Sequence, residues 1–408
     1  MNILTINKFY YIKGGSETYL FALKKELETI GHKVIPFSMK DEKNQATEYE
    51  KYFVDNIDYG KAGLMEKIKL GSKVIYSVEA RKKIEKLLDE NKVDVAHLHL
   101  FQHQLSPSIL MPLKKRKIPI VYTVHDLKVM CPNYKMLNNN ELCEKCKDGK
   151  FYNVLLNRCT KNSLSGSLVS MVEAYVHSGM RFYEDYIDHF ITPSNFYREK
   201  MIEWGFPESK ISFIPNFLDT SSISPKYTHG DYMLYLGRLS EEKGILTLLE
   251  AMKKSKSSAR LKIAGTGPLS DTIRHYILAH DLGHKVEMLG FVSGSELESA
   301  INQSKCMIMP SEWYENGPLA LIETFASGKP VIGSDIGGIP EHIDHLKNGL
   351  LFKSKSSLDL AEKIDFMNNL SEAHYLEFCR NARVKAEQVF DSKQHLSKIL
   401  PLYESIIA

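Results

Sequence analysis

Two glutamates, Glu315 and Glu323, stand eight positions apart in a stretch that combines strand, loop and helix signals. The apolar run Cys306–Met309 predicts a short buried strand before them. Pro318 suits the first turn of a helix, and Gly328 closes that helix. This spacing places one carboxylate in the loop after the strand and the other less than two turns into the helix.

The start of the predicted helix has the properties of an anion site. The backbone N–H groups of Gly317, Leu319 and Ala320 have no acceptor within the helix, and ligands of parallel sheets bind at such strand ends. A phosphate would repel the glutamates, so we expect them to accept hydrogen bonds from neutral hydroxyls. A ligand with a phosphate centre and hydroxyls at both ends is a nucleotide sugar. The alternative is an ordinary helix start with two solvated glutamates.

At these residues the chain resembles the retaining glycosyltransferases of family 4, which have the GT-B fold. Glu315-x7-Glu323, preceded by PS and surrounded by PLALIETFASGKPVI, is similar to the EX7E motif of that family. The resemblance implies that Glu315 contacts hydroxyls of the donor sugar and that Glu323 contacts the ribose. It also implies that Asn316, Gly317 and Leu319 hold the diphosphate.

A second stretch, Gly237–Gly244, follows a predicted strand and has the sequence GRLSEEKG. Arg238 and Lys243 are cations at a strand's carboxyl end, where they suit diphosphate oxygens, although taken alone they could be two surface cations. The stretch is similar to the family's GRLxxxKG motif, which implies that both cations neutralise the leaving diphosphate. No two aspartates stand two positions apart, so we expect no catalytic DxD metal site.

The first half of the chain opens with a strand over Met1–Asn7, followed by Gly14 and Gly15. Ser16 is the predicted N-cap of the next helix. A pair of glycines lets the backbone approach a ligand closely, but it is equally compatible with a plain tight turn. GGSE is similar to the family's GGxE, which implies that Gly14 and Gly15 border the donor phosphate and the acceptor.

Histidines end two predicted parallel strands. His97 and His99 end Val93–Leu98, and His125 follows Ile118–Val124. Polar residues at these strand ends face the ligand cleft, although a lone histidine is more often structural. In the resemblance, His125 matches a cleft histidine that contacts the donor sugar. We expect His99 on the acceptor side and His97 pointing inward.

Four cysteines, Cys131, Cys143, Cys146 and Cys159, have the spacing C-x11-C-x2-C-x12-C. The central CxxC with two flanking cysteines resembles a four-cysteine zinc site. The spacing is irregular, so free thiols packed in a loop are an equal alternative, and a redox role is less favoured. The cluster resembles an insertion found in a subgroup of the family.

The predicted elements position these residues in an α/β chain. Together with the resemblance, they predict a GT-B fold in which two Rossmann-like, doubly wound domains face each other across a cleft. We expect an acceptor-side domain over 1–215 with a Cys-rich insertion at about 131–159, and a polar linker over 216–231. A nucleotide-sugar-binding domain over 232–390 follows, and a helix over 391–408 that crosses back to the first domain.

The charge of the chain limits which classes of partner we expect it to bind. A net charge of +3 over 408 residues does not indicate nucleic acid. Residues 1–190 carry 29 Lys and Arg against 23 Asp and Glu, and basic amphipathic helices predicted over 61–91 could contact an anionic membrane. A solvated helix face packed on its own domain is the favoured alternative. Without a membrane span or a hydrophobic leader, we expect a cytoplasmic protein, at the inner face of the membrane, with reduced cysteines.

These observations predict a retaining, metal-independent glycosyltransferase of the hexosyltransferase type. It would move a sugar from a nucleotide-diphosphate sugar to a carbohydrate or lipid-linked acceptor in cell-surface polysaccharide or glycolipid synthesis. The alternatives are a GT-B-fold epimerase or phosphorylase, and a non-catalytic scaffold that docks a partner through its cysteines. A dehydrogenase is disfavoured because Gly265-Thr266-Gly267 lacks the third glycine of the dinucleotide fingerprint. The resemblance places Val292 beside the nucleotide base.

Overall fold

The computed structural model describes residues 1–56 and 71–407. Strands of the first part of the chain follow apolar runs that are buried on both faces, as is typical of parallel sheets. They are β1 (Asn2–Ile6), β2 (Lys33–Phe37), β3 (Val95–Leu98), β4 (Ile120–Thr123), β5 (Leu137–Asn138), β6 (Glu141–Leu142), β7 (His189–Thr192) and β8 (Ile211–Phe213). Six of them form a parallel sheet in the order β2-β1-β3-β4-β7-β8, and β5 and β6 form a small antiparallel hairpin.

Helices connect these strands. They are α1 (Gly15–Thr29), α2 (Val78–Glu90), α3 (Leu110–Lys115), α4 (Tyr152–Leu156), α5 (Leu164–Gly179), α6 (Phe182–Tyr186) and α7 (Asn195–Glu203). Ser194 caps α7 as predicted, because its hydroxyl accepts a hydrogen bond from the backbone N–H of Tyr197. The predicted cap of α1 is wrong. Gly14 is the N-cap, and Ser16 lies inside the helix, where its hydroxyl donates to Glu17.

The second part of the chain forms another six-stranded parallel sheet. Its strands are β9 (Tyr232–Leu236), β10 (Leu261–Ala264), β11 (Val286–Gly290), β12 (Ser304–Met309), β13 (Val331–Ser334) and β14 (Gly349–Phe352). Their order, β11-β10-β9-β12-β13-β14, is the Rossmann order. Alternate residues of β12 pack on opposite faces, since Cys306 and Ile308 join one core cluster while Met307 and Met309 join another.

Both faces of this sheet are covered by helices. They are α8 (Ile245–Lys254), α9 (Ser270–Ala279), α10 (Gly294–Asn302), α11 (Leu319–Ala326), α12 (Ile339–His342), α13 (Ser357–Asn368) and α14 (Glu372–Val389), and the last helix of the chain is α15 (Ser392–Ile407). Short 3-10 turns occur at Glu50–Tyr52, Pro107–Ile109, Lys147–Gly149, Glu208–Lys210, Thr220–Ser222 and Glu241–Lys243.

Internal packing divides the chain into two compact units. The first comprises Met1–Ile214 and the residues from Leu396 onward, and the second comprises Pro215–His395. The segment predicted as a linker over 216–231 begins with residues that pack inside the second unit. Phe217 is buried, and the backbone N–H of Leu218 donates to the carbonyl of Phe390. The sequence missed this packing because most of the segment is polar.

The basic helix predicted over 61–91 lies partly outside the described residues. Within its described portion, the helix α2 buries Ala80, Ile84, Leu87 and Leu88 inside its own unit. Its solvated side carries ion pairs such as Arg81 with Glu85. The contacts of α2 therefore match the alternative in which the helix packs one side on its own domain and exposes the other to solvent. No helix in the described ranges has the length and apolar character needed to cross a membrane.

Candidate active site

The two predicted donor motifs meet in the second unit, where the Rossmann order changes direction between β9 and β12. Ligands of such sheets bind beyond the carboxyl ends of the strands at this point. The loop after β9 carries Lys243, and the loop after β12 carries Glu315. Lys243 Nζ lies 2.6 Å from Glu315 Oε1, and the Ser311 hydroxyl donates a 2.6 Å hydrogen bond to the same oxygen.

Glycines allow these loops to pack closely. Gly244 has φ +67°, and a Cβ at this position would lie 1.8 Å from the carbonyl oxygen of Pro310. A Cβ at Gly267 would lie 2.3 Å from the carbonyl oxygen of Leu239. Any larger residue would push the loop that carries Lys243 away from its neighbours. The glycines that suggested a dinucleotide site therefore serve backbone packing.

Glu315 is a buried carboxylate held by a cation. Burial raises the pKa of Glu315, but the Lys243 ammonium and the hydrogen bond from Ser311 outweigh burial and hold that pKa below its usual value. Glu315 is thus ionised at neutral pH and can accept a hydrogen bond from a hydroxyl. The neighbouring Glu312 is buried as well, but Thr247 Oγ1 donates to it at 2.5 Å, which indicates a structural role.

The start of α11 offers backbone N–H groups to a ligand. Pro318 is its N-cap, and Leu319 is its first helical residue, so the N–H groups of the first turn have no acceptor within the helix. The buried Asn216 fixes the preceding loop, because its Nδ2 donates a 2.6 Å hydrogen bond to the carbonyl of Gly317. Asn316 lies between Glu315 and this fixed point.

Glu323 lies in α11, one turn beyond these N–H groups. Burial raises its pKa to about 7, so the carboxyl is about half protonated at neutral pH without ligand. A nearby hydroxyl donor would favour the ionised form. This behaviour differs from that of Glu315, because no cationic side chain of the described residues offsets the burial of Glu323.

Arg238 is exposed at the carboxyl end of β9 and forms no ion pair with any residue of the described ranges. Its guanidinium is therefore available to an anionic ligand. Val292 lies in the loop after β11, next to Phe291, whose side chain is 74% exposed. Sequence reasoning missed Phe291, although an aromatic residue at a strand's carboxyl end was a usable signal.

In the first unit, His99 and His125 form a pair at the carboxyl ends of neighbouring strands β3 and β4. His99 Nδ1 lies 3.0 Å from His125 Nε2, and their rings stack. Burial lowers the pKa of His125 to about 3 and that of His99 well below its usual value. Both rings are therefore neutral at pH 7. His125 is partly exposed and can exchange hydrogen bonds with a hydroxyl, whereas His99 is fully buried. The other ring nitrogen of His99, Nε2, is buried and has no hydrogen-bond partner among residues 1–56 and 71–407.

His97 points inward, as predicted, and is fully buried. Its Nε2 is 2.7 Å from Thr123 Oγ1, and its Nδ1 is 2.6 Å from the hydroxyl of Tyr403 in α15. Its ring lies 4.3 Å from that of His99. The sequence could not predict Tyr403, which is 306 residues away from His97.

We expect Tyr403→Phe to lower the free energy of unfolding by about 1–2 kcal/mol, because the buried His97 ring loses this hydrogen bond. Chemical denaturation of the full chain measures the change. Tyr134→Phe, at a 43% exposed tyrosine of the same unit, is the matched control and should change stability by less than about 0.5 kcal/mol. Equal effects of the two substitutions would contradict a structural role for the Tyr403 hydroxyl.

Gly14 and Gly15 are exposed at the start of α1, where they leave the backbone accessible. The glutamate of the same motif, Glu17, is buried, and Asn7 Nδ2 donates to it at 3.1 Å. Asn7 also accepts a hydrogen bond from the backbone N–H of Leu100. Asn7 thus ties β1, α1 and the loop after β3 together, which sequence reasoning missed.

The four clustered cysteines line one small cavity, together with Trp204. All four are free thiols, and burial raises the pKa of Cys131 to about 11 and that of Cys146 to about 12. Within the described ranges, no group of three or more His, Cys, Asp or Glu residues has an arrangement that could hold a metal ion. The zinc interpretation is therefore unsupported for Cys131, Cys143, Cys146 and Cys159, and packed free thiols fit the structure.

Sequence comparison places the chain among glycosyltransferases. Residues 13–222 match the profile of Glycosyltransferase Family 4, and residues 218–385 match that of Glycosyl transferases group 1. An uncharacterized glycosyltransferase of Methanocaldococcus jannaschii is 23% identical over 376 residues, covering 90% of this chain and 89% of the relative. A second one from that organism is 34% identical over 151 residues, covering 36% and 38%. The putative colanic acid biosynthesis glycosyltransferase WcaL of Escherichia coli K12 is 26% identical over 212 residues, covering 49% and 52%.

The chain thus spans only 38% and 52% of the lengths of the last two relatives. Solved structures match the whole chain. Anabaena HepE in complex with UDP and glucose has a TM-score of 0.71 at 16% identity, covering 99% of this chain and 100% of the other. Sucrose-phosphate synthase from Thermosynechococcus elongatus has a TM-score of 0.73 at 19% identity, covering 99% and 98%. These likenesses establish the GT-B fold, and since the family 4 profile matches more than half of the 408 residues, the chain belongs to glycosyltransferase family 4.

Proposed function

We propose that this protein transfers a sugar from a nucleotide-diphosphate sugar to an acceptor hydroxyl, with retention of the anomeric configuration and without a metal ion. The carrying observation is the 2.6 Å pair between Lys243 and Glu315, which joins the loop of Arg238 to the loop before α11. Because of this pair, cations, helix N–H groups and an ionised carboxylate lie together at the carboxyl ends of β9 and β12. A diphosphate with a sugar attached matches that combination of charges.

Each residue has a role in this proposal. Breaking the anomeric bond leaves negative charge on the nucleotide diphosphate, which Arg238, Lys243 and the first turn of α11 stabilise. Glu315 accepts hydrogen bonds from hydroxyls of the donor sugar, and Glu323 from those of the ribose. Val292 borders the base, and Phe291 offers it a stacking surface.

We also propose sugar-binding roles for neutral groups of the first unit. His125 is uncharged at neutral pH, so it can hydrogen-bond a sugar hydroxyl but is a poor general acid. By the family resemblance, we assign Gly14 and Gly15 to the border of the donor phosphate. We assign the fully buried His99 to the acceptor side through its contact with His125. We propose an attack on the face from which the diphosphate leaves, with a phosphate oxygen taking the acceptor proton. This route needs no second carboxylate as nucleophile.

The relatives suggest classes of donor and acceptor. WcaL and the amylovoran biosynthesis glycosyltransferase AmsK of Erwinia amylovora are named for polysaccharide biosynthesis. A Mycobacterium tuberculosis relative is named as a GDP-mannose-dependent mannosyltransferase acting on a phosphatidylinositol monomannoside. We therefore propose a role in cell-surface polysaccharide or glycolipid synthesis, with a UDP- or GDP-hexose as donor. A cytoplasmic location at the inner face of the membrane remains a prediction.

Product analysis tests this function. Purified protein is incubated with UDP-, GDP- and ADP-sugars, first alone to measure donor hydrolysis and then with carbohydrate and lipid-linked acceptors. We expect a new glycosidic bond with the donor's anomeric configuration, unchanged by EDTA. An epimerised nucleotide sugar or a sugar phosphate as the main product would instead establish an epimerase or a phosphorylase. Absence of calorimetric binding to every nucleotide sugar would favour a non-catalytic scaffold.

Glu323 gives a pH-dependent prediction. Burial raises its pKa from 4.5 to about 7 in the ligand-free protein, and ribose hydroxyls would favour the ionised form. We therefore expect affinity for nucleoside diphosphate to rise as pH increases through 7. Glu323→Gln should weaken binding above pH 7 and flatten this rise. Calorimetric titration between pH 6 and pH 8 measures the affinity of the wild type and of Glu323→Gln. Equal affinities of these two proteins above pH 7 would contradict the ribose contact.

The Glu323 carboxyl should also make folding stability fall as pH rises, whereas nucleotide affinity rises with pH. A raised pKa in the folded state gives stability that is present at low pH and is lost as pH rises from about 4.5 to about 7. The loss in the ligand-free protein is at most about 3 kcal/mol. Glu323→Gln should remove this part of the pH dependence, which thermal unfolding at several pH values would detect.

A further inference from the structure

The helix α5 has its polar side buried and its apolar side exposed, the reverse of an ordinary surface helix. Its buried residues are Ser167, Ser170, Glu173 and His177. Its large exposed residues are Leu164, Leu168, Val172 and Tyr175, which recur at intervals of four, four and three positions and so share one face. Leu164 is 58% exposed and Leu168 is 46% exposed.

The buried polar side is explained by contacts within the first unit. Glu173 accepts a 2.8 Å hydrogen bond from the buried Lys128, whose Nζ also donates to the carbonyl of Pro132. Burial raises the pKa of Glu173, but Lys128 outweighs it, so the pKa lies below its usual value. His177 Nε2 is 2.9 Å from the carbonyl of Ile75. Folding therefore accounts for the inner face of α5, but not for the apolar outer face.

The apolar face continues onto α4, which packs against α5. Tyr152 and Leu156 of α4 are exposed, Leu156 at 73%. The backbone N–H of Tyr152 donates to the hydroxyl of Tyr175, and the rings of Phe151 and Tyr175 lie 5.3 Å apart. We call this the α4–α5 surface and define it by Tyr152, Leu156, Leu164, Leu168, Val172 and Tyr175. Contiguous exposed apolar surfaces of this kind mark interaction sites.

The exposed charged side chains of the segment 151–180 are positive. Between Phe151 and Met180, the only acidic residue is the buried Glu173. Arg158 and Lys161 are exposed in the connection between the two helices, and neither forms an ion pair with any residue that the structure describes. Apolar side chains flanked by cations match the interface of an anionic lipid bilayer.

A second copy of the chain fits this surface less well. Two copies related by a twofold axis would place the same surface on both sides of the interface. Both sides of such an interface would carry Arg158 and Lys161, with no exposed carboxylate between residues 151 and 180 to compensate. An anionic membrane supplies the opposite charge and also accepts the apolar side chains.

We propose that the α4–α5 surface docks this protein onto an anionic lipid bilayer. Leu156, Leu164, Leu168 and Val172 enter the boundary between headgroups and acyl chains, Tyr152 and Tyr175 lie at headgroup level, and Arg158 and Lys161 contact lipid phosphates. This assignment differs from the basic helix predicted over 61–91. It goes beyond glycosyl transfer and does not depend on it.

Co-sedimentation of the full chain with vesicles tests the proposal. Vesicles of phosphatidylcholine alone are compared with vesicles that also contain phosphatidylglycerol. We expect binding to the anionic vesicles, which salt weakens, and little binding to the neutral ones. Leu168→Gln combined with Val172→Gln should lower the binding constant by roughly tenfold or more. Arg158→Ala combined with Lys161→Ala should lower it by a similar factor on anionic vesicles alone.

The matched control is Leu278→Gln, a 78% exposed leucine in α9 of the second unit, which should bind vesicles like the wild type. All substituted residues are exposed, so thermal unfolding and donor hydrolysis in solution should not change. Loss of hydrolysis in every protein would concern the proposed function and leave the docking result intact. Absence of binding to anionic vesicles, or binding insensitive to Leu168→Gln with Val172→Gln, would overturn the proposal. A dimer in solution that the same double substitution dissolves would assign the surface to a second copy.

Discussion

Replacing Arg238 with alanine is expected to lower turnover by roughly 10²–10³, the scale for losing one group that stabilises developing negative charge. The guanidinium stands at the carboxyl end of β9 without an ion pair to any described residue, so its removal leaves no buried charge behind. Folding stability should therefore stay within about 0.5 kcal/mol of the wild type. Steady-state kinetics with the identified donor measures the change.

Arg274→Ala is the control for this experiment. Arg274 is also an exposed arginine of the second unit, but it pairs with Asp271 on α9. Its replacement should leave turnover unchanged. Folded Arg238→Ala protein with nearly wild-type turnover would refute the assignment of Arg238 to the leaving diphosphate.

Replacing Lys243 with alanine should lower turnover by roughly 10²–10³ as well, but with a cost in stability that Arg238→Ala does not have. Removing Lys243 leaves the buried Glu315 carboxylate without its cation. Loss of one partner of a buried pair costs about 3–5 kcal/mol, and we expect about 1–3 kcal/mol because Lys243 is partly exposed. Kinetics and thermal unfolding of the same preparation measure both effects.

The pH dependence of this stability loss has a defined sign. The lowered pKa of Glu315 contributes stability above the carboxyl's unfolded pKa, and this stability is lost as pH falls through the folded value. Without Lys243, burial raises the pKa of Glu315, so the variant loses stability as pH rises. The gap between wild type and Lys243→Ala should therefore widen from pH 4 to pH 7.

A double variant separates structure from chemistry. Lys243→Ala combined with Glu315→Gln removes the buried charge and should regain part of the stability, while activity stays low. Lys254→Ala, which breaks an exposed pair with Glu250 on α8, should change neither quantity appreciably. Recovery of activity in the double variant would show that Lys243 acts only by neutralising Glu315.

For Glu315 and Glu323, the local sequence predicts the surrounding elements but not the ionisation of the two carboxyls. The spacing of Glu315 and Glu323 and the strand, loop and helix around them follow from local signals, and the structure has these elements at Ser304–Met309 and Leu319–Ala326. The different electrostatics of the two carboxyls do not follow from them. Lys243 lies 72 positions before Glu315, and only the order of β9 and β12 in the sheet brings the two together.

The sequence by itself determined the α/β class, the motif residues and the membership in a glycosyltransferase family, because short apolar runs, glycines and prolines act over a few neighbouring residues. Tertiary structure decided which side chains are partners. It paired Lys243 with Glu315, His99 with His125, and His97 with Tyr403. It also decided burial, turning the polar side of α5 inward and leaving its leucines exposed. The physical reason is that pKa values, ion pairs and exposed surfaces depend on distances between residues far apart in the chain, which local propensities do not contain.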